Sequence, residues 1–354
     1  MIKLMKGNEA LAEAAIRVGA DAYFGYPITP QSEVLEYLSR EAEERTGMVV
    51  LQAESEVASI NMVYGAAGTG KKAWTSSSSP GISLMQEGIS YIASAELPCL
   101  IVNVQRGGPG LGTIQPAQSD YFQTVKGGGH GDYKLIVLAP ATVQEMSDFV
   151  KDSFELAFKY RNPVMILTDG ALGQMMEKVE FFPQQEKSTK KLEWATVGKP
   201  KEREHNVITS LHIKPDKMEE INIHLQAKYR TIEENEIRYE EIMCEDADYI
   251  ITAFGLVARI CTKAAELARE KGIKVGVFRP ISLYPFPYEQ IKLHTKNIKG
   301  ILDVEMNAGQ MIEDVKLAVE GKIPVEFHGR MGGIVPTPDE ILEALEKYIS
   351  GGKL

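Results

Sequence analysis

Four short stretches of this chain carry side chains able to do chemistry. In Tyr26-Pro27-Ile28-Thr29-Pro30 each proline fixes its own φ and pushes the residue before it into an extended shape, so the Thr29 hydroxyl sits on a stiff turn. It can face a ligand, or cap the following helix with Pro30 at the first helical position. The two roles can coexist, because a helix N-terminus attracts anions. Glu54-Ser55-Glu56 opens a helix that runs through Ile60, Val63 and Tyr64. The helix dipole favours acids there in any case, but the apolar row places Glu56 near the buried stripe, where a carboxylate acquires an unusual proton affinity that catalysis can use. Ser76-Ser77-Ser78-Ser79-Pro80-Gly81 is a polar turn at a strand exit, and Arg106 opens the loop Arg106-Gly107-Gly108-Pro109-Gly110-Leu111-Gly112. A guanidinium beside glycines can grip a carboxylate through two parallel hydrogen bonds; a surface salt bridge is the other reading. The set contains neither a base–nucleophile pair nor a metal cage. It describes half of an active site.

Two other motifs are decoys. Gly65-Ala66-Ala67-Gly68-Thr69-Gly70-Lys71-Lys72 nearly spells a phosphate-binding loop, but Lys72 stands where a Ser or Thr should reach Mg²⁺, and the glycines end a helix instead of following a strand. A helix C-cap and turn is the better reading. The loop from Gly107 fails the dinucleotide spacing because Thr113 holds the last slot. The three cysteines, Cys99, Cys244 and Cys261, form no CxxC pair, and the six histidines show no ligand spacing. No iron–sulfur cluster, structural zinc or other metal is therefore expected on this chain.

The elements that must hold these groups follow an alternating rhythm. Ala22–Tyr26, Ala73–Ser77, Leu100–Val104, Leu135–Leu138 and Val164–Thr168 read as strands. Ser32–Arg45, Glu56–Gly68, Ile82–Ala95 and Val143–Tyr160 read as helices. Repeated βα units predict an α/β fold with a mainly parallel sheet covered on both faces, whose functional groups gather at the carboxyl ends of strands. This first domain spans residues 1–182. From 183 to 245 lysines and glutamates dominate. A helix within Met218–Met243, with Ile221, Leu225, Tyr229, Ile232 and Tyr239 apolar, makes this stretch either a connector leaning on another domain or subunit, or a solvated linker. The rhythm returns over 246–354, a second and smaller α/β domain. Its expected strands are Tyr249–Thr252, Val275–Phe278, Ile301–Val304 and Val325–Phe327, and its expected helices Leu256–Glu270, Tyr288–Thr295, Gln310–Val319 and Pro338–Ile349.

A chain of 354 residues with 44% hydrophobic and 25% charged residues is that of a globular protein of two or three domains. The net charge of −10 argues against nucleic acid as a partner. No apolar run is long enough for a membrane span, and the N-terminus lacks a basic-then-apolar signal segment, so a cytoplasmic location is expected.

Taken in order, GYPITP (25–30), QAESEVASINMVYGAAGTG (52–70), SSSPGISLMQEGISY (77–91), RGGPGLGTIQPAQSDYFQ (106–123), GGGHGDYKLIVLAPATVQE (127–145) and ITAFG (251–255) resemble the α subunit of the 2-oxoacid:ferredoxin oxidoreductases over nearly the whole chain. The wording is most similar to the branch acting on 2-oxoisovalerate (3-methyl-2-oxobutanoate), the VorB-type subunits. The resemblance implies a pyrimidine-type thiamine-diphosphate domain followed by a transketolase C-terminal-like domain. It implies CoA-dependent oxidative decarboxylation of a 2-oxoacid to acyl-CoA and CO2, with electrons passed to ferredoxin. Thiamine diphosphate would be shared with a β subunit, with Mg²⁺ and 4Fe–4S clusters on partner subunits, among them a γ and a ferredoxin-like subunit. Glu56 would contact N1′ of the aminopyrimidine and favour its imino tautomer, Thr29 and Arg106 would bind the oxoacid, and Ser78, Ser79, Pro80 and Gly81 would line the cofactor pocket. The family's GDG…N motif for Mg²⁺ and diphosphate is not recognisable, although Asp169-Gly170 follows a strand. The alternatives are the 2-oxoglutarate homologue, for which Lys126 is a candidate second cation, and a non-catalytic assembly subunit; a single-chain transketolase would need the missing motif.

Overall fold

Three segments, Ala73-Trp-Thr-Ser-Ser77, Cys99-Leu-Ile-Val-Asn-Val-Gln105 and Pro163-Val-Met-Ile-Leu-Thr-Asp169, are buried at every position. Strands without a solvent face belong inside a parallel sheet with both sides covered. In the computed structural model, which describes residues 2–189, 191–199, 201–202 and 204–352, they form the centre of such a sheet. In chain order its strands are β2 (Ala22–Gly25), β3 (Val49–Gln52), β4 (Ala73–Ser77), β5 (Cys99–Gln105), β6 (Ile136–Leu138) and β7 (Pro163–Asp169), preceded by β1 (Ile2–Lys6), which pairs with β8 (Met176–Glu180) in a separate antiparallel ribbon. The spatial order is β6-β7-β5-β4-β2-β3, all parallel.

Helices α1 (Gly7–Arg17), α2 (Ser32–Thr46) and α6 (Val143–Tyr160) share one core with the sheet. The connector helix α8 (Pro215–Asn235) adds buried Leu225, Tyr229 and Ile232 to that core, while Tyr239 lies beyond it, in strand β9 (Tyr239–Ile242). Helices α3 (Glu56–Gly68) and α4 (Ser79–Ser94) belong to a second core, and short α5 (Tyr121–Val125) and α7 (Gly170–Gln174) follow β5 and β7.

The remaining elements are β10 (Tyr249–Thr252), α9 (Gly255–Glu270), β11 (Val275–Pro280), β12 (Ser282–Tyr284), α10 (Tyr288–His294), β13 (Gly300–Glu305), α11 (Met311–Val319), β14 (Val325–Gly329) and α12 (Pro338–Ile349). They build a five-stranded sheet ordered β14-β13-β10-β11-β9, antiparallel only at β9. Strand β12 instead crosses over and joins the first sheet beside β6. Phe254, Phe278, Ile301 and Met311 share the core of Ile60, Ile82 and Ile89, so the two sheets are packed through one continuous apolar layer.

Most sequence-read elements lie within a few residues of their expected positions, with three informative differences. Strands β1, β3, β8, β9 and β12, each of only three to five residues, went unread. Helix α2 begins at Ser32 after Gln31 and has no side-chain cap, so Thr29 is not a capping residue; the amide of Gln31 closes a turn onto the Ile28 carbonyl at 3.0 Å, which delays the helix. Helix α4 starts at Ser79, so Ser79, Pro80 and Gly81 form its first turn. The Gly65–Lys72 run does end a helix, α3, followed by a turn with Gly70 at φ +78°. Among the described residues no helix is long and apolar enough to cross a membrane.

Candidate active site

The chain leaves β2, forms β3 outward, then returns to β4 on the other side of β2. Such a reversal opens a crevice at the carboxyl ends of the strands. Thr29 follows β2, Glu56 follows β3, Ser77 ends β4 with Ser78 just after it, and Arg106 follows β5, so the topology brings all the sequence-selected groups to the carboxyl ends of neighbouring strands.

Glu56 is the first residue of α3, whose N-cap is Ser55: the Ser55 hydroxyl accepts the Ala58 amide at 3.2 Å. With the capping task taken by Ser55, the Glu56 side chain is free to turn inward, and the residue is only 6% exposed. Its carboxylate has no hydrogen bond or ion pair among the described residues. It lies against the first turn of α4, where a Cβ on Gly81 would stand 2.7 Å from Glu56 Oε1 and 2.1 Å from Ser77 Oγ. Only glycine fits there. The hydroxyls of Ser77 and Ser78 and the side-chain oxygen of Asn103 are buried without partners among the described residues. Buried polar groups without a protein partner need a ligand, an ion or water to complete their bonding.

Arg106 is not the surface ion pair that its sequence context allowed. It is 9% exposed; Nη1 donates to the Thr29 carbonyl at 2.8 Å and Nη2 to the Leu111 carbonyl at 3.1 Å, while Nε is buried without a partner. The guanidinium therefore ties the proline turn after β2 to the glycine loop after β5. That loop is closed at its base by Thr113 N–H donating to Gly107 O at 2.8 Å and Gly107 N–H donating to Gln115 O at 2.9 Å. A Cβ on Gly112 would lie 1.8 Å from the Gly107 carbonyl, which together with its φ of +60° requires glycine. Thr29 is exposed and its hydroxyl makes no hydrogen bond to the described protein.

Behind these stand Asp120 and Asn103, which sequence reasoning missed, and Ser79, which it placed in the cofactor pocket. Ser79 Oγ donates to Asp120 Oδ2 at 2.6 Å and accepts the Arg106 amide at 3.1 Å. Asn103 Nδ2 donates to the same carboxylate oxygen at 2.8 Å. Burial raises the Asp120 carboxyl above its ordinary range, opposed by the bonds from Ser79 and Asn103. A signal was present: Asn103 and Gln105 are polar residues at the end of an otherwise apolar strand, where they need a reason to be buried. Lys126, by contrast, is committed elsewhere. It pairs with Asp314 of α11, which also accepts from the Tyr121 and Tyr288 hydroxyls. Asp169 caps α7, its Oδ1 accepting the amides of Ala171 and Leu172 at 2.8 and 3.1 Å, and burial pushes its carboxyl up to about 6. No group of three or more His, Cys, Asp or Glu side chains arranged to hold a metal ion occurs among the described residues, and all three cysteines are buried and unpaired.

An α/β fold with a buried carboxylate and a buried guanidinium in a crevice at its switch point belongs to the class of doubly wound folds that bind ligands at the carboxyl ends of their strands. Residues 13–243 match the family described as "Pyruvate flavodoxin/ferredoxin oxidoreductase, thiamine diP-bdg", and residues 247–341 match "Pyruvate:ferredoxin oxidoreductase core domain II". The chain is 50% identical over 345 residues to the ketoisovalerate oxidoreductase subunit VorB of Methanothermobacter marburgensis, covering 98% of this chain and 97% of that one. It is 34% identical over 366 residues to the 2-oxoglutarate synthase subunit KorA of Methanocaldococcus jannaschii, covering 97% and 99%. Among solved structures, 2-oxoglutarate:ferredoxin oxidoreductase from Magnetococcus marinus, with 2-oxoglutarate, coenzyme A and succinyl-CoA bound, superimposes with a TM-score of 0.86 at 27% identity; the match covers 98% of this chain and 65% of that one. A split-gene transketolase, at 15% identity and a TM-score of 0.61, shares the fold. The chain belongs to the 2-oxoacid:ferredoxin oxidoreductase family.

Proposed function

We propose that this chain is the α-type subunit of a complex that converts 2-oxoisovalerate and CoA to the branched acyl-CoA and CO2, passing the electrons to ferredoxin. The observation that carries the reading is Glu56, a buried carboxylate without a partner among the described residues, facing a glycine whose Cβ would collide with it. The site fits thiamine diphosphate. Glu56 would hold N1′ of the aminopyrimidine, and the unpaired hydroxyls of Ser77 and Ser78 beside Gly81 would complete the wall around that ring. When bound, the cofactor supplies the nucleophilic carbon and the electron sink for decarboxylation. This chain's own residues orient the reaction. Arg106 would draw the oxoacid carboxylate in, and the Thr29 hydroxyl would donate to the keto oxygen, both of them positioning and electrostatic tasks.

The diphosphate end and its Mg²⁺ are proposed for a β-type partner, and the 4Fe–4S clusters for partner subunits, with a γ and a ferredoxin-like subunit completing the assembly. A cytoplasmic location accords with three buried, unpaired cysteines. The branched-chain substrate is favoured over 2-oxoglutarate by two features. Lys126 is tied to Asp314, and the loop gripped by Arg106 carries exposed Leu111 and Ile114 and no charged side chain.

The test is anaerobic purification of the complex containing this chain, followed by CoA-dependent reduction of an artificial acceptor. Preferential turnover of 2-oxoisovalerate over 2-oxoglutarate and pyruvate is expected. Preference for 2-oxoglutarate would move the chain to the sister branch. A complete complex with no turnover would make it an assembly subunit.

A further inference from the structure

The Arg106 amide lies just past the end of β5, where a buried N–H without an acceptor would be destabilising. Its acceptor is a side chain, Ser79 Oγ at 3.1 Å, in the first turn of α4. A hydroxyl has one proton to give, and two acceptors stand near it: Asp120 Oδ2 at 2.6 Å and the Arg106 carbonyl at 3.3 Å. The shorter bond to a carboxylate is the stronger. It fixes the hydroxyl rotor and aims a lone pair at the Arg106 amide.

Asp120 is itself held from two sides. Asn103 and Gln105 are two apart on β5 and so share one face of the strand. The first donates to the Asp120 carboxylate at 2.8 Å, and the Gln105 side-chain oxygen accepts the Asp120 amide at 3.0 Å; Gln105 Nε2 in turn donates to Thr168 O of β7 at 3.2 Å. On the far side, the residues just before Asp120 are bound to the second sheet's loops. Gln118 Nε2 donates to Phe254 O at 2.8 Å, and the Met306 amide donates to Gln118 Oε1 at 3.1 Å. Gln310 Nε2 donates to Ser119 O at 2.8 Å, and its side-chain oxygen accepts the Phe122 amide at 2.8 Å.

We propose that Asp120 is the positioning residue for the substrate-binding arginine: acting through the Ser79 hydroxyl, it sets the backbone of Arg106 and hence the place where the guanidinium meets the oxoacid carboxylate. Ser79 is then a strut between the pocket wall and Arg106, with its hydroxyl engaged by protein and not offered to the cofactor. The inference also gives the second α/β unit a task in catalysis, since its loops brace the Gln118–Asp120 segment. It rests on the reading of Arg106 as the carboxylate-binding group.

The experiment compares D120A, D120N, S79A, the S79A/D120A double variant and R106K in the assembled complex. KM for the 2-oxoacid, KM for CoA, kcat and the thermal midpoint are measured for each. D120A and S79A should each raise KM for the 2-oxoacid on the order of ten- to a hundredfold, the penalty of a misplaced binding group, with KM for CoA unchanged. D120N keeps an oxygen acceptor for Ser79 and should recover most of that loss. The double variant should be no worse than the worse single one, as expected for one chain of contacts. Unchanged KM for the 2-oxoacid in D120A and S79A, or additive losses in the double variant, would overturn the proposal. So would a uniform fall in kcat and thermal midpoint without a selective KM effect. Should D120A not assemble, S79A, which removes one oxygen, decides alone. R106K separates the two levels: if it raises KM for the 2-oxoacid while D120A and S79A do not, only the positioning role fails, and if it leaves that KM unchanged the reading of Arg106 fails with it.

Discussion

The carbonyl oxygen of Thr29 accepts a hydrogen bond from Arg106 Nη1 at 2.8 Å, so the two residues proposed to grip one substrate are joined before any substrate arrives. The same guanidinium holds the Leu111 carbonyl through Nη2 at 3.1 Å. A planar fork can keep both contacts and still present donors to a carboxylate; a lysine ammonium cannot.

R106K is therefore expected to be far from conservative. Losing even one hydrogen bond to a charged group costs roughly 1.5–3 kcal/mol, which corresponds to about a tenfold or greater rise in KM for the 2-oxoacid. Steady-state kinetics of the complex check this; an unchanged KM would remove Arg106 from the substrate site.

Glu56 and Gly81 form the second pair. E56Q keeps the shape of the side chain but removes its basicity, and turnover should fall by about 10² or more, the usual contribution of a proton-handling group, while the complex still assembles. G81A should act differently. Its methyl would fall 2.7 Å from Glu56 Oε1 and 2.1 Å from Ser77 Oγ, displacing both, so the apparent affinity for thiamine diphosphate should drop along with the rate. Cofactor titration of both purified variants distinguishes the two effects. Full activity of E56Q would end the catalytic assignment.

The sequence shows the parts of this site that sit on distinctive local patterns. The proline turn, the Glu56 helix start and the arginine before a glycine loop each stand out without a structure, because proline, glycine and a dipole-favoured acid constrain the backbone locally. Ser79 was legible as part of a polar turn, but its partner was not. Asp120 lies 41 residues away, and no spacing rule joins a helix start to a loop across the sheet. Thr29 misled as a cap because local propensity cannot see that Gln31 turns back onto Ile28 first. Strand β12 could not be placed from its own residues, since its pairing with β6 depends on how the two sheets dock.

Asp303 offers a prediction about stability. It is fully buried in β13, accepts the Thr252 hydroxyl at 2.6 Å, and its other oxygen has no partner as a carboxylate. Burial first, and then the neighbouring Glu305, raise its carboxyl well above the ordinary value, which favours its protonated form in the folded protein. Glu305 stays fixed by the amides of Gln310, Met311 and Ile312 at 3.0, 2.9 and 3.1 Å. For a group whose folded pKa is raised, the stabilisation is complete below the unfolded value of 3.8 and is lost as pH rises through the folded one. D303N supplies the same acceptor and a permanent donor. It should match or exceed the parent in thermal midpoint, with the advantage growing toward alkaline pH. A midpoint lowered equally at every pH would show that the proton is not what this position needs.

Glu13 has the opposite sign. Its carboxylate is completely buried in α1 and is bonded by Arg17 Nε at 2.7 Å, Arg45 Nη1 at 2.5 Å and the Tyr37 hydroxyl at 3.0 Å. Burial alone would raise its carboxyl, but the bonds from Arg45 and Arg17 outweigh that and hold it at about 2. A depressed folded pKa contributes stability above the unfolded value of 4.5, and that stability disappears as pH falls from there toward about 2. E13A leaves Arg17 and Arg45 without their shared anion, and breaking a buried pair in this way costs about 3–5 kcal/mol. E13Q, which retains an acceptor, should lose less. The check is denaturant unfolding at several pH values between about 3 and 7, bracketing the unfolded carboxyl. The gap between parent and E13A should be widest at neutral pH and narrow on acidification. A gap that stays constant across that range would mean that Glu13 acts by packing and not by charge.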